Sequence, residues 1–207
     1  MPPVLLEVCV DSRERLATAL AGGAARIELC ARLDLDGLSP EPELLEHALA
    51  SSALPLHVMV RPQPGPFRPS SPDFARMLRE CEALSKRVQG VVLGLLDGED
   101  RIDVARTREL VAAARPASVT FHRAFDRVRD FEGGLEQLIE LGIARVLTSG
   151  GAPTAWEGRE RLAALIRRAA GRIAVLPGGG VRVDNARALT AATGARELHS
   201  STPFALA

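Results

Sequence analysis

Short apolar runs alternate along the whole chain with longer segments that carry apolar residues at helical spacing. The runs are rich in Val, Ile and Leu, which is typical of buried β-strands. They begin near residues 4, 26, 55, 90, 118, 145, 173 and 197. A regular alternation of strand and helix predicts parallel strands joined by crossover helices. Eight repeats of this unit predict an α/β fold, the TIM (β/α)8 barrel.

Turn and capping residues set the boundaries of the predicted elements. Seven strands are predicted over 5–10, 26–30, 56–61, 90–96, 145–149, 173–176 and 197–201, and the fifth in chain order begins at 118. Helices are predicted over 13–21, with Ser12 as N-cap, and over 40–51, 72–86, 104–114, 131–141, 155–169 and 183–193. The proline-rich stretch over 62–69 is a loop, because the strand pattern resumes beyond it. A single domain over 1–207 is therefore expected.

The eighth repeat is incomplete in this sequence. Only six residues follow the predicted eighth strand, whereas such barrels usually have about 250 residues and a final helix. The C-terminal helix 8 is thus missing or truncated. The flank beside the first helix would then stay open or be covered by another subunit. For this reason we expect a homo-oligomer, a dimer or a tetramer.

Composition excludes several classes of function. Lys plus Arg and Asp plus Glu both number 26, so no net charge favours binding to nucleic acid or to an anionic membrane. Aromatic residues make up only 3%, which argues against platforms that stack nucleotide bases. Neither a signal peptide nor an apolar run long enough to span a membrane is evident. Three cysteines are not a disulfide framework, so a cytoplasmic location is expected.

Polar residues within the strands share one parity, and alternate residues of a barrel strand point into its interior. The inward set comprises Glu7 and Cys9, Glu28 and Cys30, His57, Met59 and Arg61, Thr120 and His122, and Glu197 and His199. Isolated charges are costly in a dry interior. These groups must therefore pair with one another or face a wet pocket.

Three charged or titratable residues, His122, Arg123 and Asp126, follow the fifth strand. Active sites of TIM barrels lie at the C-terminal ends of the strands. One interpretation is a pocket in which His122 is a general acid or base and Arg61 and Arg123 hold an anionic substrate. The alternative is a hydrogen-bonded barrel histidine, with Asp126 capping the next helix.

Glu7 and Glu28 occupy equivalent places on the first two strands. They could form an acid–base pair in which the like charge raises one pKa. They could equally pair with Arg61 in a buried ionic network. The sequence leaves both readings open.

Small and polar residues end the sixth, seventh and eighth strands. In TIM barrels the loops after strands seven and eight commonly hold a phosphate through backbone N–H groups. A plain tight turn is the alternative, since turns also use glycine. The predicted anion-binding residues are Thr148, Ser149, Gly150, Gly178, Gly179, Gly180, His199, Ser200 and Ser201.

Cys9 and Cys30 each follow a glutamate by two residues on adjacent predicted strands. At the same level they would be near neighbours, and with Met59 they would form a soft site suited to Cu(I). Buried cysteines are also ordinary small hydrophobic residues, which is the alternative.

Six motifs together resemble the CutC family: ELC at 28–30, GLSP at 37–40, VRP at 60–62, TFHRAFD at 120–126, RVLTSG at 145–150 and ELHSS at 197–201. The resemblance implies a TIM barrel, a cytoplasmic location and a name in copper homeostasis. It also implies copper ligands at the ends of the first two strands, which match Cys9 and Cys30. The chain departs from the family in ending early and in having Val10 where some relatives have a second, adjacent cysteine.

Two functions follow from these observations. One is a cytosolic copper-binding protein, and the other is an enzyme acting on a small anionic or phosphorylated substrate with His122 as general acid or base. A scaffold without chemistry is a third reading.

Overall fold

The computed structural model describes residues 4–204 and confirms the TIM barrel. Its eight strands are β1 Leu5–Val10, β2 Arg26–Leu29, β3 Leu56–Met59, β4 Gly90–Leu93, β5 Ser118–Phe121, β6 Arg145–Thr148, β7 Ala174–Pro177 and β8 Glu197–Ser200. All paired neighbours are parallel, in the order β7-β6-β5-β4-β3-β2-β1-β8.

Seven α-helices surround the strands within residues 4–204. They are α1 Arg13–Ala21, α2 Pro42–Ser51, α3 Ser71–Leu84, α4 Val104–Ala114, α5 Phe131–Glu140, α6 Arg159–Ala169 and α7 Val183–Thr193. Ser12 is the N-cap of α1, since its side chain accepts the N–H of Arg15 at 3.2 Å. Helix α6 begins later than expected because turns occupy the start of the predicted segment, where Ala155 donates its N–H to Gly179 at 2.9 Å.

The hydrophobic core lies between the barrel and the helices. Outward-facing residues such as Leu6, Val8 and Ile27 are at most 2% exposed, as the alternation in sequence predicts. A second, smaller apolar cluster lies inside the barrel and consists of Cys30, Met59 and Val92, with Leu33 packed against it. The rest of the interior is largely polar.

The flank beside α1 is not open in the described residues. Leu198 and Val8 are at most 1% exposed, and Phe204 packs on the core. Pro203 lies so close to Gly22 that a Cβ atom there would come within 2.7 Å of it. The expected opening was therefore wrong, because the segment after β8 and the neighbouring helices cover this flank. A homo-oligomer stays a prediction, without that support.

Strands β7 and β8 lie side by side but share no backbone ladder among the described residues. The barrel is therefore nearly closed, with one seam. Gly178 allows the close approach there, since a Cβ atom would lie 2.5 Å from Leu147 and 3.3 Å from His199. None of the described helices is both long enough and apolar enough to span a membrane.

Candidate functional site

A cavity of about 320 Å³ opens at the C-terminal ends of the strands. Its walls include ten of the residues predicted from sequence: Cys9, Glu28, His122, Arg123, Asp126, Gly179, Gly180, His199, Ser200 and Ser201. The lining residues do not include Glu7, Cys30, Arg61, Thr148, Ser149, Gly150 or Gly178. The sequence thus predicted ten residues that line the cavity and seven residues that do not.

Three potential ligand atoms converge at the base of this cavity. They belong to Cys9 on β1, Glu28 on β2 and His199 on β8, and all lie within 4.8 Å of one another. Each of these residues is at most 9% exposed. Sulfur, nitrogen and oxygen donors thus meet at one point, and such a set can hold a metal ion.

The β1–β2 register brings Cys9 opposite Glu28, and Glu7 opposite Arg26. The expectation that Cys9 and Cys30 lie at the same level, and Glu7 level with Glu28, was therefore wrong. Neighbouring barrel strands are staggered, so equal offsets from two strand starts do not give equal heights.

Cys30 lies with the inner apolar cluster rather than in the group of three donors. Its Sγ is 3.5 Å from the carbonyl oxygen of Val10. Burial raises the pKa of this thiol far above its usual range. In this setting Cys30 has the properties of a core residue, whereas Cys9 faces the cavity.

Glu7 lies below the cavity and orients His199. One carboxylate oxygen is 2.8 Å from Nδ1 of His199, and the other pairs with Arg26. Burial alone would raise the pKa of Glu7, but the hydrogen bond from His199 and the charge of Arg26 outweigh it and lower the pKa far below its usual range. Arg26 also bonds Glu197 at 2.6 Å. Arg26, which was not predicted from the sequence, therefore balances the charges of Glu7 and Glu197 inside the barrel, a role expected of Arg61.

Glu28 is in the opposite electrostatic situation. It is 3% exposed, and its Oε2 has no hydrogen-bond partner among the described residues. Burial raises the pKa of Glu28 to about 7, and the nearby charge of Glu7 adds to the rise. A buried carboxyl without a partner requires a proton or a cation.

His122 is buried at the end of β5, and the ring of Phe67 packs against it at a tilt of 51°, with 4.9 Å between ring centroids. Its Nδ1 accepts the N–H of Ala124 at 3.2 Å. Burial, together with the charge of Arg61, lowers the pKa of His122 to about 3, so the ring is neutral at pH 7. Because Nδ1 is an acceptor, the proton of the neutral ring is on Nε2.

Arg61 forms no ion pair with a carboxylate of residues 4–204. Its guanidinium donates to the backbone carbonyls of Leu35, Gly37 and Gly65 at 2.8, 2.9 and 3.1 Å. It also lies over the ring of Phe67, 4.9 Å from the centroid. The alternative that Arg61 pairs with Glu7 or Glu28 was therefore wrong. Arg61 instead links the loops after β2 and β3 through its hydrogen bonds to their carbonyls.

Asp126 fastens the loops after β5 and β6 in a comparable way. It accepts hydrogen bonds from the Thr148 hydroxyl, from the N–H groups of Ser149 and Gly151 at 3.0 Å, and from Arg123 Nε at 2.8 Å. The N-cap of α5 is instead Asp130. The alternative that Asp126 caps the next helix was wrong.

Eight of the nine predicted anion-binding residues fall into two groups, and the ninth, Gly178, packs against Leu147 and His199. Thr148, Ser149 and Gly150 form the loop around Asp126, where Gly150 donates its N–H to Thr148 at 2.9 Å. Gly179, Gly180 and the segment 199–201 line the cavity instead. Arg127 and Arg182 also line it and were not predicted, although a basic residue soon after a glycine run was a usable signal.

Comparison with known proteins agrees with this architecture. The CutC family model matches residues 4–203. A CutC family protein of Caulobacter vibrioides is 45% identical over 199 residues, which cover 96% of this chain and 81% of the relative. One from Vibrio cholerae is 44% identical over 199 residues, 95% of this chain and 78% of the relative.

Solved structures show the same similarity. The crystal structure of CutC from Streptococcus agalactiae, which its name links to copper homeostasis, superposes with a TM-score of 0.91 at 27% identity and covers 96% of this chain and 99% of that one. An aldolase called QR15 has a TM-score of 0.70 at 16% identity, over 96% of this chain and 89% of that one, which shows the fold alone. The match of the family model across almost the entire chain, together with these relatives, shows that the chain belongs to the CutC family.

Proposed function

We propose that this CutC family member binds a metal ion at Cys9, Glu28 and His199, and that the ion is copper, as Cu(I). The convergence of the three donor atoms within 4.8 Å carries the proposal. The family name supports the choice of copper. A thiolate is the ligand that favours Cu(I), and imidazole binds several transition metals.

The surroundings of these ligands fit a metal. Glu7 holds Nδ1 of His199 at 2.8 Å, which is the carboxylate–histidine arrangement that orients metal-binding imidazoles. Oε2 of Glu28 has no hydrogen-bond partner among the described residues, and a bound metal ion would supply the positive charge that compensates it. If the ion were instead a divalent one such as Zn²⁺, three protein ligands would leave a position for a further ligand, which the ion would polarise.

A competition titration against a chromophoric Cu(I) chelator, done without oxygen, tests the site. In Cys9→Ser we expect Cu(I) affinity to fall by about 100-fold or more, because even changes outside the ligand shell commonly cost about 10- to 100-fold. Cys81→Ser is the matched control, since Cys81 is also a buried free thiol but lies on α3.

Two further outcomes decide the details. The geometry predicts a small effect of Cys30→Ser, whereas a loss equal to that of Cys9→Ser would favour a two-thiol site. Unchanged Cu(I) affinity in Cys9→Ser would eliminate the proposal. The same variants titrated with Zn²⁺ show whether the mixed donor set prefers a divalent ion.

A second candidate function is an enzyme acting on a small anionic or phosphorylated substrate. The observation that favours it is the cavity itself, which has His122 and arginine side chains in its wall above the three donors. The pKa of about 3 makes His122 a neutral hydrogen-bond donor at pH 7, and such a group polarises a substrate carbonyl or hydroxyl. This candidate requires a site for the anion.

We also propose that the protein works in the cytoplasm. Cys9, Cys30 and Cys81 are all free thiols, and proteins of reducing compartments keep their cysteines in this form.

A further inference from the structure

We propose that the cavity binds a small phosphate-bearing molecule, with the phosphate on the N–H groups of residues 179–181 between Arg123 and Arg182. This inference deepens the enzyme candidate and rests on it for the use of the cavity. It is independent of whether Cys9, Glu28 and His199 hold a metal.

The loop after β7 presents backbone donors without acceptors. Within residues 4–204, the N–H groups of Gly179, Gly180 and Val181 donate no hydrogen bond. Gly179 and Gly180 have φ values of +101° and +70°, a conformation that glycine adopts without strain. Successive N–H groups in such a loop form a concave site for an anion. Helix α7 follows directly, and its N-terminus adds positive potential.

Two guanidinium groups flank these donors. Arg123 is held by Asp126 through Nε and by Ser149 through Nη2, at 2.8 and 3.1 Å. Its Nη1 has no partner among the described residues and lies 3.5 Å from the place a Cβ atom on Gly179 would occupy. Arg182 also lines the cavity, and its Nη1 donates to the Val181 carbonyl at 2.9 Å. Fixed guanidinium groups are well suited to phosphate oxygens.

His122 supplies an independent indication of a ligand. It is 4% exposed and lines the same cavity, and its Nε2 makes no hydrogen bond to any described residue. The Nε2–H group therefore opens into the cavity, where a ligand oxygen or a water molecule can accept it. The ligand should therefore carry an oxygen acceptor for His122 as well as a phosphate.

The size of the cavity limits the ligand. About 320 Å³ is at the lower end of the range for small-molecule sites. A dinucleotide does not fit such a volume, whereas a short phosphorylated carbonyl or polyol compound does.

Calorimetric titration with inorganic phosphate, at constant ionic strength, tests the anion site. Wild-type protein should bind phosphate saturably. Gly179→Ala introduces a Cβ atom into the anion site at a positive φ, and Arg182→Gln removes one charge. Each should weaken phosphate binding by about tenfold or more, the usual effect of losing one charge-assisted hydrogen bond.

Matched controls separate the site from general damage. Gly171→Ala places the same methyl group at a φ of +79°, where no atom lies within 4 Å. Arg167→Gln removes an exposed charge on α6, away from the residues that line the cavity. Both should bind phosphate as the wild type does. The proposal would be overturned if Gly179→Ala and Arg182→Gln bound phosphate as tightly as the wild type does. It would also be overturned if wild-type protein did not bind phosphate saturably.

The metal proposal is tested separately in the same samples. Gly179→Ala should keep its Cu(I) affinity, and Cys9→Ser should keep its phosphate affinity. Wild-type protein that binds Cu(I) but not phosphate would overturn only the phosphate site. Wild-type protein that binds phosphate but not Cu(I) would overturn only the metal site.

Discussion

Two glutamates on the inner face of neighbouring strands show how the surroundings of a residue set its charge. Glu7 is bonded by His199 and Arg26 and stays ionised. Glu28, directly above this layer, has an oxygen without a partner and a pKa raised to about 7. The same residue type is therefore a paired, ionised anchor in one place and a carboxyl that can take up a proton or a cation in the other.

His122 gives a prediction about pH at the residue scale. Its folded pKa of about 3 lies below the ordinary 6.5, so the unfolded chain binds the proton first as the pH falls. Stability is thus lost from about pH 6.5 down to about pH 3, by at most about 1.4 kcal/mol per pH unit from this group. In His122→Gln that contribution should disappear, and urea unfolding between pH 7 and pH 4 should show a shallower dependence.

The wild-type ring offers a direct check of the same point. Its carbon-bound proton signals in NMR spectra should not shift between pH 8 and pH 5, because the neutral form persists. A midpoint near pH 6.5 for His122 would contradict the lowered pKa.

At the scale of elements, the sequence predicted where the strands lie and which residues face inward better than it predicted the register between neighbouring strands. Strand spacing and alternation are local properties, and they located β1 to β8 and separated inward Glu28 from outward Leu29. Register is not local, because it depends on the stagger between strands as the barrel closes. For that reason Cys9 was expected beside Cys30 but lies opposite Glu28. Long side chains such as Arg61 were equally unpredictable, since their partners are carbonyls of remote loops.

The loops after β5 and β6 depend on one carboxylate. Asp126 accepts several hydrogen bonds, one of them from Arg123, and its side chain is only 10% exposed. Asp126→Asn keeps the shape but removes the charge and turns an acceptor into a donor. We expect about 3 kcal/mol of destabilisation, because a largely buried carboxylate loses several hydrogen bonds at once. Urea unfolding at pH 7 measures it.

An exposed aspartate provides the comparison. Asp100 pairs with Arg68 at 2.7 Å, and both side chains are about 40% exposed (38% and 42%). Asp100→Asn should cost less than about 1 kcal/mol, because exposed ion pairs contribute little. Similar losses in the two variants would show that Asp126 does not hold the loops.

For the whole molecule, the seam between β7 and β8 coincides with the candidate site. His199 stands on one side of the seam, and the loop that begins at Gly178 stands on the other. Every other pair of neighbouring strands is joined by a parallel ladder. At this seam β8 is joined to the loop after β7 through side chains, as in the hydrogen bond from Ser200 Oγ to the Val181 carbonyl at 2.9 Å, so the cavity wall can adjust to a ligand there at the lowest cost in backbone hydrogen bonds.

Hydrogen exchange can detect this seam. Leu5 donates its N–H to Arg196 at 2.9 Å, so by the alternation of a parallel ladder the N–H groups of Leu198 and Ser200 point to β1. Those of Glu197 and His199 then point to β7, where no ladder receives them. We expect these two amides to exchange about tenfold faster or more than Leu198 and Ser200.

In β4, which is paired on both sides, the alternate residues Val91 and Val92 should be protected alike. Equal protection along β8 would mean that the barrel is closed by hydrogen bonds in solution, and the seam would then not be the adjustable wall of the cavity.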